Sequence, residues 1–245
     1  MITNGVRITV EKTNESFHTK DDWGLAITNN NYIGKPEQET SYVTVPGASI
    51  DIDLSESLTG RPTFKSRPIN IELSAIYRKK DWDAVISDIR NHIEGKIVRL
   101  CFDNDSGFYW RGRVNVVNFD RVRNMGEFAL SIPHADPFKY DVFDSQDEWE
   151  WDPFDFEEGI IRYFGTVEVS GSLTVNFPKG NMLVVPTFEV SKIISAMSFV
   201  FNGKTYNLKE GNNRFPDILV AGDEEKEITI QGNGTVKITY RGGSL

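Results

Sequence analysis

The stretch that decides the fold runs Arg67-Pro68-Ile69-Asn70-Ile71-Glu72-Leu73-Ser74-Ala75-Ile76-Tyr77, followed by Asp81-Trp82-Asp83-Ala84-Val85-Ile86-Ser87-Asp88-Ile89-Arg90-Asn91-His92-Ile93-Glu94 and then Gly95-Lys96-Ile97-Val98-Arg99-Leu100. In the first part Ile69, Ile71, Leu73, Ala75 and Tyr77 alternate with Asn70, Glu72 and Ser74, the period-two pattern of a half-buried strand. In the second, Trp82, Val85, Ile86, Ile89 and Ile93 fall at helical spacing and form one apolar stripe. Asp81 is placed to cap that helix, Asp83 sits at the positive end of its dipole, and Gly95 can close it in a left-handed conformation. A lone amphipathic helix among strands has only a sheet on which to bury its stripe, so the helix is expected to lie on one.

Strand signals continue on both sides. After the aromatic entry Phe108-Tyr109-Trp110, Val114 and Val116 alternate with Arg113 and Asn115; near the end Val236, Ile238 and Tyr240 repeat the pattern. Asn202-Gly203 and Asn233-Gly234 lie between strand-like runs, where both are expected to form type I′ hairpin turns. Composition shifts at Pro133-His134-Ala135-Asp136-Pro137. Beyond it Asp141, Asp144, Asp147, Glu148, Glu150, Asp152, Asp155, Glu157 and Glu158 are interleaved with Trp149, Trp151, Phe154 and Phe156. Proline cannot donate to a strand ladder and dense like charge resists packing, which sets a domain boundary near residue 140. The reading is mainly β: an N-terminal domain over 1–140, and a C-terminal β-domain over 141–245 that opens with an acidic aromatic connector at 141–158.

The chemistry-bearing residues do not converge. His18, His92 and His134 are scattered, without an i, i+4 partner or a cysteine at metal-ligand spacing. His92 falls near the helix C-terminus, where a cation is mildly favoured. Cys101, the one cysteine, lies in the strand Ile97–Phe102 as a small apolar residue, so no intrachain disulfide forms, in keeping with a reducing compartment. Asp103-Asn104-Asp105-Ser106-Gly107 begins like a calcium loop, but no glutamate stands around Asn115 to complete it, and a polar turn between two strands accounts for the same residues. The sequence contains no Gly-x-Ser-x-Gly elbow, phosphate-binding loop or dinucleotide fingerprint. Sequons at Asn14, Asn104 and Asn233 carry no weight without an export signal, and the first residues show none. With 36 acidic against 27 basic residues, a net charge of -9, the chain lacks the basic footprint of a nucleic-acid binder. Apolar runs such as Met182–Val185 are too short to span a bilayer, so no membrane insertion is expected.

Over residues 42 to 140 the order of features resembles the N-terminal domain of the siphophage distal tail (Dit) family. The order is Val45-Pro46-Gly47-Ala48-Ser49-Ile50-Asp51-Ile52-Asp53-Leu54, then Arg67-Pro68-Ile69 opening a long strand, the helix around Trp82, and Gly95-Lys96-Ile97-Val98-Arg99-Leu100. Phe102-Asp103-Asn104-Asp105, Tyr109-Trp110, Gly112-Arg113-Val114 and Ala135-Asp136-Pro137-Phe138-Lys139-Tyr140 complete it. The second half is similar in size and strand character only. The resemblance implies an N-terminal β-sandwich with one α-helix and a β-hairpin, followed by a galectin-like or carbohydrate-binding-module-like β-sandwich. It further implies a homo-hexameric ring, a baseplate hub at the virion tail tip, assembled in the host bacterial cytoplasm. Such a ring joins the tail tube to a tail-associated fibre or lysin protein, with a receptor-binding protein or host surface carbohydrate as further partners. DNA crosses the ring, and the family brings no catalytic residues, cofactor or metal. The alternative is a carbohydrate-binding module or glycosidase, with Trp149 or Trp151 as stacking platform and carboxylates such as Glu148 and Asp152; a related tail-tube protein is a third reading.

Overall fold

The computed structural model describes residues 5–28, 31–57, 59–75, 82–122, 125–142 and 165–245. Within them the chain is mainly β with one helix, as the patterning predicts. It divides into two compact units, Met1–Asp105 with Tyr109–Lys139, and Ser106–Phe108 with Tyr140–Leu245.

In the first unit, β1 (Val6–Val10), β2 (Ser16–His18) and β3 (Leu25–Ile27) precede the short strands β4 (Tyr32–Ile33), β5 (Gln38–Glu39), β6 (Tyr42–Val43), β7 (Ile52–Asp53) and β8 (Thr63–Phe64). Next come β9 (Arg67–Ala75), α1 (Trp82–Ile93), β10 (Ile97–Phe102), β11 (Phe108–Arg113), β12 (Asn115–Val122) and β13 (Met125–Ala135). One sheet runs β2-β1-β10-β11 and a second runs β12-β13-β9-β3, with β4 also on β9. Ile69, Ile71 and Leu73 of β9, Phe128, Leu130 and Ile132 of β13, Val6, Ile8 and Val10 of β1, and Val98, Leu100 and Phe102 of β10 are all buried in one shared core. Each set is one face of a period-two strand, so the two sheets bury their apolar faces against each other.

Trp82, Ile86, Ile89 and Ile93 are the buried residues of α1, and Trp82, Ile89 and Ile93 join the same core, with Val85 packed at its border. Gly95 takes the left-handed conformation expected at the helix end (φ 68°), and its N–H donates to the Val114 carbonyl at 2.9 Å. Asp81 and Tyr77, given roles by the sequence, lie outside the described residues.

The run from Phe108 to Val116 reads as one strand in sequence but is two strands in two different sheets. The chain changes sheet at Val114, whose N–H donates to the Lys96 carbonyl at 3.1 Å while its side chain is fully buried. Alternation survives the crossing because both sheets enclose one core.

After β14 (Lys139–Asp141), where the division falls, the second unit contains β15 (Thr166–Phe177), β16 (Thr187–Phe201), β17 (Lys204–Leu208), β18 (Gly211–Arg214), β19 (Lys226–Thr239) and β20 (Gly243–Ser244). Its long strands order β15-β19-β16-β17, while β18 pairs the other half of β16. Val175, Phe177, Phe188, Val190, Phe199, Ile228, Ile230, Val236 and Ile238 form a separate core.

Asn202-Gly203 makes the expected turn, with φ of 48° and 75° between paired Phe201 and Lys204. Asn233-Gly234 does not: it lies inside β19, where the register against β16 shifts three times between Val190 and Ser198. The Asn233 side chain accepts from the Gly171 N–H at 2.9 Å and donates to Ser195 Oγ at 2.8 Å, clamping β15, β19 and β16. A Cβ at Gly234 would strike the Lys192 carbonyl oxygen and the Met197 sulfur, so glycine is required there by close backbone approach rather than by a turn.

Two stability measurements follow from these cores. Trp82→Ala should destabilise the first unit by about 3–5 kcal/mol in a urea melt, since it empties a fully buried indole site; a shift no larger than that of a surface substitution contradicts the helix's place in the core. Gly234→Ala should cost about 1–3 kcal/mol through overpacking, and a neutral outcome contradicts the close approach.

Candidate functional site

From residue 35 to residue 66 no described residue is buried. The chain runs out and back as a ribbon held by two short ladders, Gln38↔Phe64 with Glu39↔Thr63, and Tyr42↔Asp53 with Val43↔Ile52. Between them the Leu54 N–H donates to the Ser41 carbonyl at 2.8 Å, and the Ser41 N–H donates to Ser55 Oγ at 2.9 Å. Ser55 holds the Asp53 carboxyl below its ordinary range by donating to it from its hydroxyl and its N–H. At the base, the Lys65 N–H reaches the Glu37 carbonyl at 2.8 Å, the Gly34 N–H reaches that of Pro68 at 2.7 Å, and the Phe64 ring meets Phe138 edge-on at 6.0 Å.

The tip of this arm is apolar. Tyr42 is 59% exposed and Ile50 81%, and Val43, Val45, Ile52 and Leu54 are also exposed. A two-stranded ribbon is marginal in water on its own and has no second layer to cover these side chains. Six large apolar residues within one hairpin form the kind of patch that marks an interaction surface. Val43, Val45, Ile50, Ile52 and Leu54 alternate as a half-buried strand does, but no layer among the described residues covers them.

The residues singled out for chemistry remain apart. His18 is 6% exposed, with Nε2 2.9 Å from Asp103 Oδ1 and Nδ1 2.9 Å from Asp21 Oδ2. His92 contacts its own helix at the Asp88 carbonyl (2.8 Å) and its ring lies 4.6 Å from Phe17, while exposed His134 meets Ser66 Oγ at 3.2 Å. Cys101 is not on the buried face of β10 but on the half-buried one; burial and the nearby Asp105 carboxylate still push its thiol up, away from the reactive thiolate. Asp103–Gly107 is the turn between β10 and β11, and its carboxylates are spent on protein partners: Asp103 on the Gly5 N–H (2.7 Å) and His18, Asp105 on Lys139 Nζ (2.8 Å). Among the described residues no group of three His, Cys, Asp or Glu side chains is placed to hold a metal. Glu148, Asp152, Trp149 and Trp151 lie outside the described residues.

The closing Ala135-Asp136-Pro137-Phe138-Lys139 segment is tied by charge. Arg111 holds Glu11 with two bonds (3.0 and 2.9 Å) and Asp136 with a third at 3.3 Å. This network lowers the Glu11 carboxyl and raises the guanidinium further above its already high range. In the second unit Asp217 accepts from Lys204 Nζ at 2.7 Å and from the Tyr206 hydroxyl at 2.5 Å, so that phenol is held protonated.

No protein-family model matches the sequence, and no curated protein matches it. Among solved structures, the chain is similar to the crystal structure of Dit (gp 19.1) of phage SPP1, described as a paradigm of the hub adsorption apparatus in phages infecting Gram-positive bacteria. The likeness has a TM-score of 0.58, covers 96% of this chain and 98% of that one, and comes with 11% sequence identity. This chain shares the fold of that hub protein. The shared hub fold extends over both units, including the second, which the sequence matched only by size and strand character. At this identity the likeness resides in architecture.

The salt-linked turn gives a pH expectation. Burial alone would raise Asp103, but the His18 ring and the Gly5 N–H outweigh it and hold the carboxyl below its ordinary value. A carboxylate depressed in the folded state contributes stability that is present above its unfolded pKa, about 3.9, and lost as pH falls through the folded value. Asp103→Asn should therefore flatten the loss of stability on acidification below about pH 4. Identical acid denaturation profiles for the two proteins contradict the assignment.

Proposed function

We propose that the chain is a structural protein of a phage tail tip, a distal tail protein whose copies close into a ring through the arm. The observation that carries this reading is the arm tip, an apolar hairpin left exposed by the described residues, on a fold shared with a hub protein. A contact between unlike surfaces, repeated by rotation, gives every subunit the same two interfaces and closes when the angle divides the circle. The resemblance in the first half supports six copies, with 1–140 forming the ring and 141–245 decorating it. In this role the ring connects the tail tube to a fibre, lysin or receptor-binding apparatus, within the virion.

DNA carries one charge per ~1.7 Å of duplex, and a lumen lined with Lys and Arg would retain it. The excess of acidic over basic residues, 36 to 27, suits a wall along which DNA slides. The role requires no catalysis. A sugar-binding role for the second unit would need exposed aromatic platforms; among its described residues Phe177, Phe188, Phe199, Phe201, Tyr206 and Tyr240 are buried in its core, and Trp149 and Trp151 lie outside the described residues.

Negative-stain microscopy of the purified chain at high concentration should show discrete six-fold rings. Ile50→Asp combined with Ile52→Asp should abolish the rings while leaving the melting temperature within the range of ordinary surface changes. Rings that persist in the double variant, or tubes in the parent protein, contradict the proposal.

A further inference from the structure

The buried face of β9 carries Arg67, Ile69, Ile71 and Leu73, so a guanidinium stands where the alternation calls for an apolar side chain. Arg67 is 6% exposed, and its Cζ lies over the Trp110 ring of β11, 4.8 Å from the ring centroid. Its Nε is sealed from solvent without a hydrogen-bond partner. Burial pushes the guanidinium below its usual range, and no carboxylate among the described residues offsets it. Asp136, one residue beyond Ala135, the cross-strand partner of Arg67, is held by Arg111, as is Glu11. Arg99, Arg111, Arg113 and Arg241, by contrast, each donate to a protein oxygen.

A buried charge without a partner costs stability. Stacking on an indole stabilises a guanidinium through the ring quadrupole but leaves its N–H donors unused. Those donors lie in the guanidinium plane, in a fork that matches a carboxylate. Folding has already stripped water from Arg67, and the stack on Trp110 fixes its plane. An arriving carboxylate therefore gives up only its own water and gains paired charge-assisted bonds at the guanidinium edge.

We propose that Arg67, stacked on Trp110, is a binding site for a carboxylate, and that an Asp or Glu side chain of a neighbouring copy of this chain fills it when the ring closes. The source of the carboxylate rests on the proposed ring; the site does not. Two observations select the neighbour. Arg67 opens β9 shortly after β8, the returning strand at the base of the arm, so the site adjoins the surface assigned to the contact. The chain also carries 36 acidic against 27 basic residues, so a second copy brings carboxylates in excess.

Melting temperature and sedimentation velocity of the full chain test the two halves separately. At concentrations where the chain is monomeric, replacing chloride by acetate at fixed ionic strength should raise the melting temperature of the parent protein, because a ligand bound only to the folded state stabilises it. Arg67→Met, uncharged and of similar reach, should lose that rise when read against its own melting temperature in chloride. Arg67→Lys keeps a charge without the planar fork and should retain little of the rise. An acetate response equal in the parent and Arg67→Met overturns the site. At concentrations where rings form, both variants should need a roughly tenfold or higher protein concentration to assemble. Rings as firm in Arg67→Met as in the parent overturn the neighbour as the source, while the lost acetate response upholds the site. A parent protein that never assembles overturns the ring and the neighbour together, and the acetate response still decides the site.

Discussion

A β-strand carries side chains on two faces, and any face with an apolar alternation needs a second layer to cover it. Each part of this molecule meets that requirement differently. In the first unit two sheets face each other over one core, and α1 contributes Trp82, Ile89 and Ile93 to it. In the second unit, long strands are interrupted by register shifts and by Asn233, whose side chain bonds to both neighbouring strands at the bend. In the arm the same alternation exists with no covering layer among the described residues.

This difference links structure to assembly. The apolar tip would be a solubility liability if it served nothing, and exposed strand edges invite pairing with other chains. The ring we propose would satisfy both at once, because each subunit would cover its neighbour and no arm would be left over. The polar ties sit elsewhere. Arg111 with Glu11 and Asp136, and His18 with Asp103, fasten turns to the first unit's sheets.

Much of this was legible in the sequence because local periodicity determines which face of an element is apolar. The helix, its glycine stop and the buried faces of β9 and β19 follow from spacing alone. What was misread needed knowledge of distant partners. Asn202-Gly203 and Asn233-Gly234 are the same dipeptide, yet one is a hairpin turn and the other an interior clamp, decided by what stands opposite on β16. Val114 continues an alternation while changing sheet, because both sheets serve one core. Asp103 lies 85 positions from His18, and no spacing rule joins them. For the arm, the alternation of Val43, Val45, Ile50, Ile52 and Leu54 is visible in the sequence, but local spacing says nothing of whether another layer covers it.

Hydrogen exchange read by mass spectrometry, comparing assembled chain with chain diluted to monomer, tests the central claim most directly. Amides from Tyr42 to Leu54 should exchange rapidly in the monomer, where a marginal ribbon opens readily, and become protected on assembly. Equal exchange of this segment in both states, with protection arising only elsewhere, would show that the arm is not the surface through which copies of the chain meet.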